Sequence, residues 1–150
     1  MSTRFVLLLC ALLLLAGCVT PAHAAIAPTP IPALWQDAEI RYLDALLPAI
    51  AAVPEALFLL ARNFKDNDAQ ASLQASVDVF IAHPMPPATL AVIDLYVGYA
   101  ASACSSLLHV ASATGAASYI QLCSDNIRTI RLELARLYAA RGTYPPGYLP

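Results

Sequence analysis

The chain has 150 residues, 59% of them apolar and only 12% charged, with a formal net charge of −2. Ordinary globular domains carry about twice that charged fraction, and a weakly acidic chain has no basic field with which to attract nucleic acid. With five glycines in all, a glycine-rich phosphate loop is a poor fit.

Arg4 provides a short basic start, and Phe5 to Leu15 is an apolar run interrupted by Cys10 and Ala11. As a helix this run spans about 16 Å, too short for a ~30 Å hydrocarbon core. It therefore reads as a cleaved signal peptide and not as a membrane span. The residues that follow, Leu15-Ala16-Gly17-Cys18, resemble the lipobox of bacterial lipoproteins, a leucine and two small residues before a cysteine. The resemblance implies that residues 1–17 are removed and that the Cys18 thiol is diacylglycerated. In that family an Asp after the cysteine marks inner-membrane retention. Val19 stands there instead, which implies an outer-membrane anchor facing the periplasm of a Gram-negative envelope. An alternative stays open: Ala22-His23-Ala24 is an A-x-A site, and cleavage before Ala25 would release a soluble periplasmic protein. The lipobox is preferred because it abuts the apolar run.

Residues 18–33 form a tether. Pro28, Pro30 and Pro32 block helix and favour extended polyproline geometry, in which fifteen residues reach roughly 45 Å. From Leu34 the pattern turns helical, with Ile40, Leu43, Leu47 and Ile50 at three- and four-residue steps. Pro48 is expected to kink or end this helix, and Pro54 to open a second one over Glu55 to Lys65. Asn67 with Gln70 reads as the capping box of a third helix. A calcium loop starting at Asp66 fails, because Ala71 and Val77 stand where Gly and Glu are required. Leu73, Val77, Phe80 and Ile81 are the expected buried edge of that helix, and His83-Pro84-Met85-Pro86-Pro87 ends it.

Two long helices follow, expected over about Ala88 to Ala111 and about Ala116 to Arg141, with Thr114-Gly115 at the turn and Gly142 as the C-cap glycine. The seam Leu90, Ile93, Val97, Ala100, Cys104, Leu107 matches the seam Ile120, Cys123, Ile127, Ile130, Leu134, Leu137. Folded antiparallel, Leu107 meets Ile120, Cys104 meets Cys123, Ala100 meets Ile127, Val97 meets Ile130, Ile93 meets Leu134, and Leu90 meets Leu137. The predicted fold is all-α: a bundle of four or five helices over residues 34–142, ending in this long hairpin, with a Pro/Tyr-rich tail over residues 143–150. Loss of the leader and acylation of Cys18 leave Cys104 and Cys123 as the only thiols. In an oxidising periplasm they are expected to form a disulfide; the alternative is a reduced, buried pair.

The sequence contains no G-x-S-x-G, H-E-x-x-H or C-x-x-C motif, and nothing in it calls for a metal or cofactor. Ser105 and His109 are four apart with no acid to orient the imidazole, and read as a chance pair. Asp94, beside the seam, is expected to be partly buried and hydrogen-bonded to Tyr96 or a neighbouring helix. Asp125 with Arg128 and Glu133 with Arg136 read as a solvated face. Pro145-Pro146-Gly147-Tyr148 matches the ligand of WW domains in form, but those partners are eukaryotic signalling modules. Phe58, Leu59, Leu60 and Phe64 are the candidate partner-binding residues. The expected role is non-enzymatic: a lipid-anchored envelope protein that binds or scaffolds another envelope protein, similar in architecture to the pilotins of secretion systems, with the membrane as a further partner. A soluble periplasmic inhibitor or immunity protein is the alternative.

Overall fold

In a computed structural model the described residues are 34–110 and 113–144. Helix α1 spans Asp37–Arg62, α2 Asn67–Ala82, α3 Ala91–Leu108 and α4 Ala113–Arg141, with a 3-10 turn at Ala88–Leu90 leading into α3. Each helix packs on the next and α4 closes on α1, so the fold is an all-α bundle with no strand among the described residues.

Helix α1 starts where the Glu39 carboxylate accepts the backbone N–H of Gln36 at 2.9 Å, with Asp37 and Glu39 in its first turn, as the helix dipole favours. It then runs 26 residues without a break through both Pro48 and Pro54, where two separate helices were expected. A proline inside a helix costs about 3 kcal/mol, partly through the N–H lost to the carbonyl four residues back. Tertiary contacts offset this. The stripe Leu43, Leu46, Ile50, Val53, Leu57 and Leu60 is buried along the whole length. The Ile50 carbonyl, deprived of its donor by Pro54, accepts Arg131 Nη2 from α4 at 3.4 Å. Asp44, the counterpart for Pro48, lies on the exposed side of the helix. The buried stripe also turns away from the expected one: Tyr42, Leu46 and Ala49 are in the core, whereas Ile40 and Leu47 are half-buried.

The cap of α2 is Asp66 and not Asn67, since Asp66 Oδ1 accepts the Ala69 N–H at 2.9 Å. Gln70 turns back instead to donate to the Phe64 carbonyl at 2.8 Å. Leu73, Val77 and Phe80 are buried as expected, but Ile81 points outward. The α3–α4 hairpin is the most extensive helix pairing in the molecule. Eleven of its twelve seam residues are buried and Ile120 is half-buried. Cys104 and Cys123 lie at disulfide distance, with Cα atoms 5.2 Å apart, inside the ~4.4–6.8 Å that a bond requires. The helix ends differ from expectation: residues 88–90 form the 3-10 turn, α3 stops at Leu108, and Thr114-Gly115 lie within the first turn of α4. Gly142 takes φ 67°, and its N–H bonds the Tyr138 carbonyl at 2.9 Å, as the closing residue of α4.

Candidate functional site

The bundle has two distinct ends. At one, α1 and α3 begin and α2 and α4 finish; two polar and aromatic clusters gather there, and an apolar cleft runs toward it between α1 and α4.

The first cluster clasps the start of the domain to its end. Arg141, in the last turn of α4, forms a bidentate pair with Glu39 on α1 at 2.7 and 2.6 Å, and both side chains are fully buried. Thr89 Oγ1 donates to the same carboxylate from the turn before α3. Arg141 Nη1 also reaches the Leu34 carbonyl at 3.3 Å, and its guanidinium stacks on the Trp35 ring at 4.1 Å. Trp35 in turn donates its indole N–H to the Thr143 carbonyl at 3.1 Å. Burial alone would raise the Glu39 carboxyl pKa. Hydrogen bonds from Arg141, Thr89 and the Gln36 N–H, together with the Arg141 charge, outweigh it and hold the group below the usual carboxylate range.

The second cluster ties α1, α2 and α3. Tyr42 donates its hydroxyl to Asp94 Oδ1 at 2.9 Å, and His83 Nε2 meets the same oxygen at 2.6 Å. The other ring nitrogen, Nδ1, lies 2.7 Å from the Phe80 carbonyl, and the Tyr42 and His83 rings meet edge to face at 5.4 Å. Burial, followed by the hydrogen bond to Asp94 and its charge, pushes the Tyr42 hydroxyl far above its usual range. Asp94 thus bonds a neighbouring helix, as one of the two sequence expectations had it. None of these three residues borders the cleft described next, so the cluster serves to join helices.

The third feature is an open cleft of about 760 Å³ between α1 and α4. Leu47, Ile50 and Ala51 form one wall; Leu134, Ala135, Tyr138 and Ala139 form the other; Thr143 and Tyr144 close its lower end. Arg131, at the upper end, is the one charged residue among the described lining residues. From Arg131 to Gly142 the cleft follows α4 for about 16 Å at 1.5 Å per residue. Its size and apolar walls suit a binding groove. No protein-family model, curated protein or solved structure matches this chain. The functional reading therefore rests on the geometry and on the N-terminal residues.

The sequence-predicted residues are scattered. Phe58 is exposed and faces the Arg62 guanidinium at 5.5 Å; Leu59 and Phe64 are half-buried; Leu60 is in the core. Phe58, Leu59 and Leu60 point in different directions because adjacent residues on a helix do not share a face, and Phe64 lies beyond the end of α1 at Arg62. His109 Nδ1 contacts the Ser105 backbone carbonyl at 2.7 Å and not its hydroxyl. Asp125 with Arg128 at 3.5 Å, and Glu133 with Arg136 at 3.8 Å, are pairs on the outer side of α4. Among the described residues no group of His, Cys, Asp or Glu is placed to hold a metal ion. Cys18 and residues 145–150 lie outside the described residues.

The cleft and the clasp were both missed by sequence reasoning. Leu134 falls on the hairpin seam and Leu47 on the periodic apolar stripe of α1, and neither pattern marks the groove between them. The clasp carried a faint signal, an acid in the first turn of the first helix and a base in the last turn of the last.

Proposed function

We propose that this protein is a non-enzymatic, lipid-anchored component of the bacterial cell envelope, in which the α1–α4 cleft receives an apolar helical segment of another envelope protein. The lipidation reading rests on Leu15-Ala16-Gly17-Cys18. The binding reading is carried by the cleft, an apolar groove with Arg131 as the one cation among its described lining residues. Such a groove suits an amphipathic helix that lays two turns of apolar side chains between Leu47 and Leu134 and sets a carboxylate opposite Arg131. The disulfide distance between Cys104 and Cys123 supports an oxidising compartment. A pilotin-like role, carrying a partner toward the outer membrane, follows as analogy of architecture.

Two measurements test this. Cells expressing the wild type and Cys18→Ser are labelled with palmitate; label on the wild type alone is expected. An unlabelled wild type beginning at Ala25 would establish instead the soluble periplasmic alternative. A photo-cross-linking amino acid at Ala135 then reports the cleft in intact cells. One discrete adduct is expected, lost when Leu47→Glu places a charge in the opposite wall. No adduct at Ala135, or one indifferent to Leu47→Glu, would refute the groove as the binding site.

A further inference from the structure

Five of the ten large exposed apolar side chains among the described residues stand at the end of the bundle from which the tether leaves. Leu34 is 80% exposed, Ile81 68%, Met85 91%, Val92 54% and Tyr144 49%. All five stand where α1 and α3 begin and where α2 and α4 finish. From Val79 to Ile93 there is no Asp, Glu, Lys or Arg. Three charges at this end are withdrawn: Glu39 and Arg141 are buried against each other, and Asp94 is held by Tyr42 and His83. Asp37 and Arg41 on α1, Asp78 on α2 and Arg136 on α4 remain exposed within about a turn and a half of this end. The opposite end carries Arg62, Lys65, Asp66 and Asp68 around the α1–α2 connection. The molecule is therefore polarised along its long axis.

We propose that this end is a membrane-contact surface, seated on the same leaflet that holds the lipid on Cys18. The inference rests on the lipid-anchor reading and adds to it where the folded domain sits. Residues 18–33 join the lipid to Leu34, so the tether leaves from within the apolar surface. Tethering makes the second contact intramolecular, because the domain is held within the roughly 45 Å reach of the tether from the leaflet. A few apolar side chains then suffice where they would not hold a free protein. The projecting connection is suited to such contact. Met85 is flanked by Pro84, Pro86 and Pro87, and prolines lack the N–H whose desolvation penalises an irregular segment entering an apolar interface.

The test uses the full-length lipidated protein in proteoliposomes that contain a photoactivatable phosphatidylethanolamine, with adducts mapped by mass spectrometry. Lipid adducts are expected on Ile81, Met85 and Val92, about tenfold or more above those on Phe58. The variant Ile81→Glu with Met85→Glu, at two exposed positions, should lose them by about tenfold while keeping its palmitate label and thermal midpoint. Equal labelling of both ends, or adducts unchanged in the variant, would overturn the proposal. So would a photo-cross-linker at Met85 that captures protein and no lipid in native envelopes. A palmitate-labelled protein without these adducts sinks the contact surface alone. An unlabelled wild type sinks the anchor and the contact surface together.

Discussion

Replacing Glu39 with Ala leaves the Arg141 guanidinium inside the protein, where its side chain has 0% exposure. It loses hydrogen bonds of 2.6 and 2.7 Å and keeps, among the described residues, the Leu34 carbonyl at 3.3 Å and the Trp35 ring. A guanidinium cannot shed its proton to escape, so the cost of stranding it is about 3–5 kcal/mol, a large share of the ~5–15 kcal/mol of a typical domain. The reverse change, Arg141→Met, should cost less, because a stranded carboxyl can take up a proton. The double variant Glu39→Leu with Arg141→Met removes both desolvation costs and should lie near the wild type. Urea unfolding followed by Trp35 fluorescence is the assay, since this single tryptophan stacks on Arg141. The pH dependence has a definite sign. The folded Glu39 carboxyl sits below its usual value, so its stabilisation is complete above the unfolded value of about 4.3 and is lost as pH falls through the folded value. Glu39→Gln should flatten that acid limb. A Glu39→Ala variant within about 1 kcal/mol of wild type, or a double variant as costly as the sum of the singles, would refute the buried-pair reasoning.

Arg131→Ala should cost about 1 kcal/mol, the worth of one hydrogen bond to the Ile50 carbonyl, and nearly nothing in a Pro54→Ala background, where the helix supplies that carbonyl with its own N–H; equal costs in both backgrounds, by urea unfolding, would disprove the substitution of one donor for the other. Cys104 and Cys123 should resist alkylation in the exported protein until it is reduced, and reduction should lower stability by roughly 3 kcal/mol for a loop of this length. Tyr42→Phe removes a 2.9 Å bond to Asp94 and should cost about 1.5–3 kcal/mol, as for a bond to a charged acceptor. The folded Tyr42 keeps its proton where the unfolded chain loses it, so wild-type stability should fall above about pH 10 with a limb that the Phe variant lacks.

Much of the architecture is written in local pattern. The run Pro84, Pro86 and Pro87 ends α2, because closely spaced prolines remove several N–H groups and disfavour helical geometry in each residue before them. Gly142 closes α4 because its φ of 67° is open to glycine without penalty. The hairpin was legible because two adjacent helices with matched apolar seams, joined by a short turn, have one antiparallel register that buries both. Cys104 and Cys123 fall in that register. The remaining features depend on groups far apart in the chain. Pro48 reads as a helix stop and Pro54 as a helix start until Arg131, from a distant helix, meets the carbonyl that Pro54 deprives. Glu39 and Arg141, 102 residues apart, each read as ordinary helix-end charges, and only the closing of α4 on α1 buries them as a pair. His83 reads as the end of a helix until Asp94 and Tyr42 converge on it. Phe58, Leu59 and Leu60 differ in exposure because neighbouring residues on a helix point in different directions, and which direction is outward depends on where the other helices pack. Periodicity reports that a helix has a buried side. The carbonyl, cation or carboxylate that waits on that side belongs to another part of the chain, and only the tertiary structure brings it there.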